Sequence, residues 1–506
     1  YCKFFYREKK WEKLSGCKMK VFCLILLISV IVKTARVEKK RIAIVGGGIG
    51  GTSAAYFLNE LLGDEVDIDL YYHGKIGGRL ATSLFKGREY EVGGSIIHPD
   101  NEYMVNFTSI LGLKEKTGSG NTLLGIYNGK SFDFFGSDWS ILTMGKLLWH
   151  YGLDILKIQS YIGDLMPHFK SIYSLQDQGH SFTRPETLLG ALYPQFVTMM
   201  HGSTDDLFVS KGYSRAFIDQ LVQGGLLSNY GQGTNIHGFV GAVSMAGIQP
   251  GLWSVNGGNK RIPEGLARHS GAKLIQGKVH SITLREGEND VRYLVEAIGD
   301  NGYDIYEEIY DYVIMATPLN DDISGIKFKN FPTPIGYLKH HFHQTVATLV
   351  AGKPNRRTFG LSEDDEFPSA LLLSNSDLFY NSIGKHSPVD YTPNSGDIPE
   401  VYKVFSKKPL TNEQLDLLFE SYDDLDITDW TGAYPHYDSK ETEIPKFVLY
   451  DKMYYINAIE IVASSMEMCS IGARNCALLL YNDLKGNEGM VDAGLGRDRK
   501  SYKQEL

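Results

Sequence analysis

A disulfide framework, a membrane span and a surplus of positive charge are all missing from this 506-residue sequence. Five cysteines are present, but Cys2, Cys17 and Cys23 lie ahead of residue 36, leaving Cys469 and Cys476 in the body of the chain. Seven residues apart on an expected helix, these two sit about 10 Å from each other, beyond disulfide reach, so a disulfide-free mature chain is expected. The apolar run Val21 to Val32 has 12 residues, short of the roughly 20 that a spanning helix needs. No transmembrane anchor follows it. Residues 1–40 carry 11 Lys+Arg against 3 Asp+Glu, a net of +8, so the formal charge of −9 becomes −17 over 41–506. That balance argues against a nucleic-acid partner.

The start of the chain has its own logic. Met19-Lys20, the apolar run and Lys33-Thr34-Ala35 read as a signal peptide over 19–35, and residues 1–18, upstream of the first methionine, read as a non-native extension. The expected compartment is the secretory pathway, the lysosome first, with secretion or the endoplasmic reticulum as alternatives. Asn106-Phe107-Thr108 is the single Asn-x-Ser/Thr sequon and a glycosylation candidate. The last residues, Lys503-Gln504-Glu505-Leu506, depart from a retrieval signal at Gln504.

Arg41 to Val45 is a β-branched run, followed by Gly46-Gly47-Gly48-Ile49-Gly50-Gly51 and then a helical stretch from Thr52 to Leu58. Gly46, Gly48 and Gly51 thus satisfy G-x-G-x-x-G between a strand and a helix, where a pyrophosphate can meet the backbone at the helix N-terminus. The acid expected about 20 residues on, for the adenosine ribose, is replaced by Tyr72, with Asp69 as a displaced substitute. Gly77-Gly78-Arg79 supplies a second close backbone approach and a guanidinium suited to a phosphate oxygen, which favours FAD over NAD(P). Strands are expected again at 273–275, 279–282, 312–318 and 454–456, and a helix from Ser464 to Leu480. The economical architecture is α/β, a Rossmann-like FAD-binding domain of the glutathione-reductase type with an interleaved α+β substrate domain. The FAD-binding segments are 41–111, 250–322 and 446–485, the substrate segments 112–249 and 323–445, and 486–506 is a tail.

The stretches Gly77-Gly78-Arg79-Leu80-Ala81-Thr82, Gly93-Gly94-Ser95-Ile96-Ile97-His98-Pro99, Gly257-Gly258-Asn259-Lys260 and Ala433-Tyr434-Pro435-His436-Tyr437 resemble the prenylcysteine oxidases, within the FAD superfamily that includes amine oxidases. The resemblance runs from about Arg41 to the C-terminus. It implies an FAD-dependent thioether oxidase that converts S-prenyl-L-cysteine (farnesyl or geranylgeranyl), with dioxygen and water, to cysteine, a prenyl aldehyde and hydrogen peroxide. A flavin oxidase of another apolar thioether or amine, and a non-catalytic binding protein with the same fold, are the alternatives.

The remaining candidates follow from that resemblance. Gly93 and Gly94 let backbone pass the cofactor, His98 faces flavin or substrate, and Glu460 lies near the ribityl chain. Ser464-Ser465-Met466-Glu467 reads as a capping box in which Glu467 reaches back to the Ser464 amide, its helix N-terminus aimed at the flavin. Trp253, Tyr434 and His436 are candidate walls of an isoprenoid pocket. The tract His340-His341-Phe342-His343 is expected to be a strand edge, and no metal is expected.

Overall fold

The computed structural model describes residues 39–117, 123–137, 140–247, 251–287, 291–320, 323–335, 341–392, 399–440 and 444–493. The chain divides into a unit 1–40 and a unit Arg41–Leu506, and the second holds the sheets and the cavity. The signal segment, residues 1–18, His340 and the last four residues lie outside the described residues.

In chain order the strands are β1 (Lys40–Val45), β2 (Val66–Tyr72), β3 (Thr82–Phe85), β4 (Arg88–Glu91), β5 (Leu124–Tyr127), β6 (Phe132–Phe135), β7 (Lys273–Glu286), β8 (Val291–Gly299), β9 (Ile305–Tyr310), β10 (Tyr312–Met315), β11 (Lys327–Lys329), β12 (Phe342–Pro354), β13 (Ala370–Leu373), β14 (Tyr380–His386), β15 (Val401–Ser406), β16 (Phe419–Pro435), β17 (Val448–Tyr450) and β18 (Met453–Tyr455). Among the described residues nine of them form one sheet, in the order β17-β18-β10-β1-β2-β7-β8-β9 with β11 beside β7. β1, β10 and β18 run parallel and are almost wholly buried, which is why their sequences are unbroken apolar runs rather than alternating ones. The helix Ile49–Leu62 crosses beside the C-terminal helix Met466–Lys485. Small residues permit the approach: a Cβ on Gly50 would meet Ile456 Cγ2 at 3.2 Å and Cys469 Cβ at 3.9 Å.

Two expectations are corrected in this sheet. The segments 273–275 and 279–282 are one strand, β7, which pairs with β2 in parallel through Gln276 and with β8 antiparallel from Gly277. Gly277 passes continuity from one partner to the next instead of marking a turn. β11, inside the segment assigned to the substrate domain, pairs with β7.

The second sheet has the order β16-β12-β15-β14-β13-β5-β6, antiparallel except for the β13–β5 pair. β12 pairs with β16 along its length and with β15 only from Val346 to Ala351, so Phe342 and His343, the tract's residues in the strand, have β16 alone as partner and lie at an edge, as expected. His343 packs edge-on against His436, and burial pulls its imidazole down to about 4.

The expected capping box is also different in the structure. Ser465 is the N-cap of Met466–Lys485, accepting from Met468 N–H, while Ser464 N–H donates to the Tyr437 hydroxyl at 2.9 Å. The Glu467 carboxylate instead accepts from the backbone N–H groups of Tyr103 (2.9 Å) and Met104 (3.0 Å) and from the Tyr173 hydroxyl (2.8 Å). It thereby caps the neighbouring helix Glu102–Ile110 and joins three elements. Asn106 on that helix is exposed. Cys469 and Cys476 are buried free thiols, as the missing disulfide framework implied.

Glu467→Ala leaves two buried N–H groups and one hydroxyl without their acceptor, and is expected to cost about 3 kcal/mol. Urea unfolding checks this: the midpoint should fall while the slope stays unchanged.

Candidate active site

β1 is followed by Gly46, whose φ of 124° belongs to glycine. A Cβ on Gly51 would sit 1.9 Å from the Gly46 carbonyl, so the helix can start this close to the turn only with glycine there. Gly48 is the helix N-cap and offers no side-chain cap; a Cβ on it would rest in ordinary contact with Gly77 O and Gly78 Cα, 3.9 Å from each. The first-turn N–H groups are thereby left to an external acceptor, the geometry of a phosphate site. Gly77 N–H donates to Gly47 O at 2.9 Å, which seats the second glycine pair on the first. Gly93 passes Arg79 so closely that a Cβ would lie 1.9 Å from the Arg79 carbonyl.

These segments open onto one cavity of about 1410 Å³. Gly46, Gly48, Gly78, Arg79, Gly93, Gly94, His98, Glu460, Met466 and Glu467 all line it, whereas Gly51 lies beneath the turn and shapes it from below. His98 accepts from Asp100 N–H through Nδ1 at 3.1 Å, so its ring is held by its own turn. Tyr434 lines the cavity, but Trp253 and His436 do not; Trp253 joins Ile97 in a backbone bridge.

Arg79, expected on a phosphate oxygen, is placed on Glu460. Its Nη2 meets Oε1 at 2.5 Å and its Nη1 meets Oε2 at 2.9 Å, with the Ala433 carbonyl at 2.8 Å as a further acceptor. Burial opposes the guanidinium's charge, and the Glu460 carboxylate outweighs it and raises the group above its ordinary value. Glu460 is fully buried and also accepts from Asn457 Nδ2 at 2.6 Å and Ser464 Oγ at 3.2 Å. Asp69 is not free for a ribose either. It accepts from Tyr310 at 2.7 Å and Arg41 at 3.2 Å. Tyr72 Cβ packs over Gly47.

Two residues that line the cavity, Thr317 and Asn457, are not among the candidates named from the sequence. Thr317 Oγ1 and Asn457 Oδ1 are buried there without a hydrogen-bond partner, a state that costs free energy unless a ligand completes it. With the first-turn N–H groups left without a side-chain cap at Gly48, they show that the site fits a dinucleotide. Thr317 stands in the strand-to-turn segment after β10, where such a role could have been read.

The fold and this site define an FAD-dependent oxidoreductase. Residues 134–493 match the prenylcysteine lyase family and 44–111 the NAD(P)-binding Rossmann-like domain. Prenylcysteine oxidase 1 of Bos taurus is 41% identical over 90% of this chain and 91% of its own length, and that of Homo sapiens 40% over 90% and 92%. Prenylcysteine oxidase 1-like of Homo sapiens is 36% identical over 87% and 90%. Among solved structures, cyclohexylamine oxidase from Brevibacterium oxydans is similar in fold, with a TM-score of 0.56 at 14% identity over 88% of this chain and 100% of that one. A putrescine oxidase triple mutant gives a TM-score of 0.56 at 14% identity over 89% and 99%. The chain belongs to the prenylcysteine oxidase family.

Arg79→Met strands the fully buried Glu460 carboxylate and is expected to lower stability by about 3–5 kcal/mol, and Arg79→Met combined with Glu460→Met by much less. Chemical denaturation of the native protein, both single variants and the double variant measures the coupling.

Proposed function

We propose that the chain oxidises S-prenyl-L-cysteine, with dioxygen and water, to cysteine, a prenyl aldehyde and hydrogen peroxide. The observation that carries this reading is the continuity of the cavity. The glycine cradle opens directly onto a wall of Leu165, Met166, Phe169, Phe196, Met199 and Phe239, supplied by the helices Asp154–Asp177, Pro194–Met200 and Gly238–Ala246. An isoprenoid chain is the substrate part such a wall suits, since each buried methylene is worth about 0.8 kcal/mol. The names of the relatives point to the same substrate.

FAD, when bound, supplies a two-electron acceptor that dioxygen regenerates. The chain's own contribution is placement. Apolar side chains hold the prenyl tail away from water, and the Gly93-Gly94 backbone leaves room for donor and acceptor to meet. No side chain is required as a strong acid or base, because the thioether carbon is activated by sulfur and by the neighbouring alkene. The backbone at Gly46, Gly48, Gly51, Gly78, Gly93 and Gly94, with Met466 at the helix start, forms the cofactor cradle in this reading. His98 is a residue of the substrate side, held by its turn. The domain assignment is 41–111, 250–322 and 446–485 for FAD and 112–249 and 323–445 for substrate, with β11 attached to the first sheet. A secretory route ending in the lysosome, with Asn106 glycosylated, is supported by the segment 19–35 and by the exposure of Asn106. Among the described residues no helix is long and apolar enough to cross a membrane.

Anaerobic mixing with S-farnesylcysteine should bleach the flavin absorbance, and admission of air should restore it with release of one peroxide per turnover. An unbleached flavin would count against the reading. Tyr72→Glu, which supplies the missing ribose partner, is expected to tighten FAD retention several-fold. Titration of the apo-protein with FAD reads this directly, and unchanged or weaker affinity would show that Tyr72 does not stand at the ribose.

A further inference from the structure

The sheet face beneath the cavity carries a buried lysine whose ammonium meets a backbone carbonyl rather than a carboxylate oxygen. Lys403 on β15 stands directly opposite Gly384 of β14 and Leu349 of β12, so its side chain shares their face of the sheet. It is 2% exposed and lines the cavity. Its ammonium donates to the backbone carbonyl of Glu91 at 3.2 Å and lies over the Phe405 ring at 4.9 Å. It forms no ion pair among the described residues. The Glu91 carboxylate, the one acidic group that acts on it, spends Oε1 on Asn259 N–H at 2.7 Å and leaves Oε2 unpartnered.

Glu91 also faces Lys116 and Lys260, so this one carboxylate is shared among several ammonium groups. Gly384 has no side chain to fill the flank of Lys403, and a Cβ there would lie 3.3 Å from His386 Nε2, so the imidazole overhangs this bare position. Burial keeps His386 neutral, and Lys403 and Lys116 disfavour its charge further. Lys116 is itself committed to the Ser387 carbonyl at 3.1 Å. Burial also pulls the Lys403 ammonium below the usual lysine range, an effect that an incoming anion reverses. An ammonium taken out of water with only a shared carboxylate to offset it is costly, and a cavity wall of this kind favours an anionic partner.

We propose that Lys403, with His386 beside it over the bare Gly384, binds the α-carboxylate of the cysteine head of the substrate. This assignment rests on S-prenylcysteine being the substrate. It makes the cavity two-ended, with apolar helices for the prenyl chain and one buried cation on the sheet for the amino-acid head, an arrangement that favours a prenylcysteine over a prenyl alcohol.

Calorimetric titration of the FAD-loaded protein, reduced with dithionite so that no turnover occurs, tests it with S-farnesylcysteine and with its methyl ester. The native protein is expected to bind the free acid roughly 30-fold more tightly than the ester, the scale of a charge-assisted contact. Lys403→Met should bind both with the affinity of the ester, and Lys403→Arg should keep a preference for the acid. Equal binding of acid and ester by the native protein overturns the proposal, and this comparison needs no variant to fold. So does a Lys403→Met protein that keeps the preference and only reacts more slowly with dioxygen, which would place the cation at the oxidative half-reaction. If neither ligand binds and S-farnesylcysteine does not bleach the flavin, the substrate reading falls and the subsite with it.

Discussion

The buried contact between Arg79 and Glu460 is the constraint on which the arrangement of the site depends. It joins residues 381 positions apart, and its Nη1 contact to the Ala433 carbonyl brings the end of β16 to the same point. Three chain segments, the turn after Gly77-Gly78, the C-terminal end of the second sheet and the approach to the C-terminal helix, are therefore fixed to one another at the wall of the cavity. An ion pair of this kind, with Glu460 fully buried and the Arg79 side chain 31% exposed, adds little net stability over a well-packed apolar pair, because desolvation offsets the attraction. Its value lies in register. Glu460 is satisfied only if Arg79, Asn457 and Ser464 arrive together, so arrangements that separate the three segments leave a carboxylate stranded.

Around that fixed point the glycines decide how near the backbone can come. The helix Ile49–Leu62 begins against the turn, and the hairpin entry at Gly77 hydrogen-bonds back to Gly47. The Gly46 carbonyl leaves no room for a Cβ at Gly51, and the Arg79 carbonyl leaves none at Gly93. The site is thus assembled from parts that lie far apart in sequence, and a dinucleotide spanning them stabilises their meeting by mass action. Polar atoms with no partner of their own, Thr317 Oγ1 and Asn457 Oδ1, belong to the same logic, since they are satisfied only when the cavity is filled.

What could be read from the sequence was local. The strand, glycine turn and helix at 41–62 are legible because φ, Cβ clearance and apolar patterning are set by neighbours a few residues apart. The partners of Arg79 were not, for a guanidinium following two glycines suits a phosphate and a distant carboxylate equally well. Glu467 shows the same limit. Its spacing from Ser464 fits a capping box, yet its carboxylate serves a helix 363 and 364 residues earlier in the chain. Lys403 was hidden by its context: Val401, Lys403 and Phe405 alternate onto one sheet face, and a lysine in an apolar row reads as an edge residue until the strand is seen to be internal. Asp69 was read as a spare acid because Tyr310 and Arg41, which hold it, come from other strands.

The most direct measurement is a crystal structure of the FAD complex. The pyrophosphate is expected to lie over the backbone from Gly48 to Gly51 while Arg79 and Glu460 keep their two-pronged contact beside it. An Arg79 guanidinium swung onto the phosphates, with Glu460 left to other partners, would contradict that arrangement.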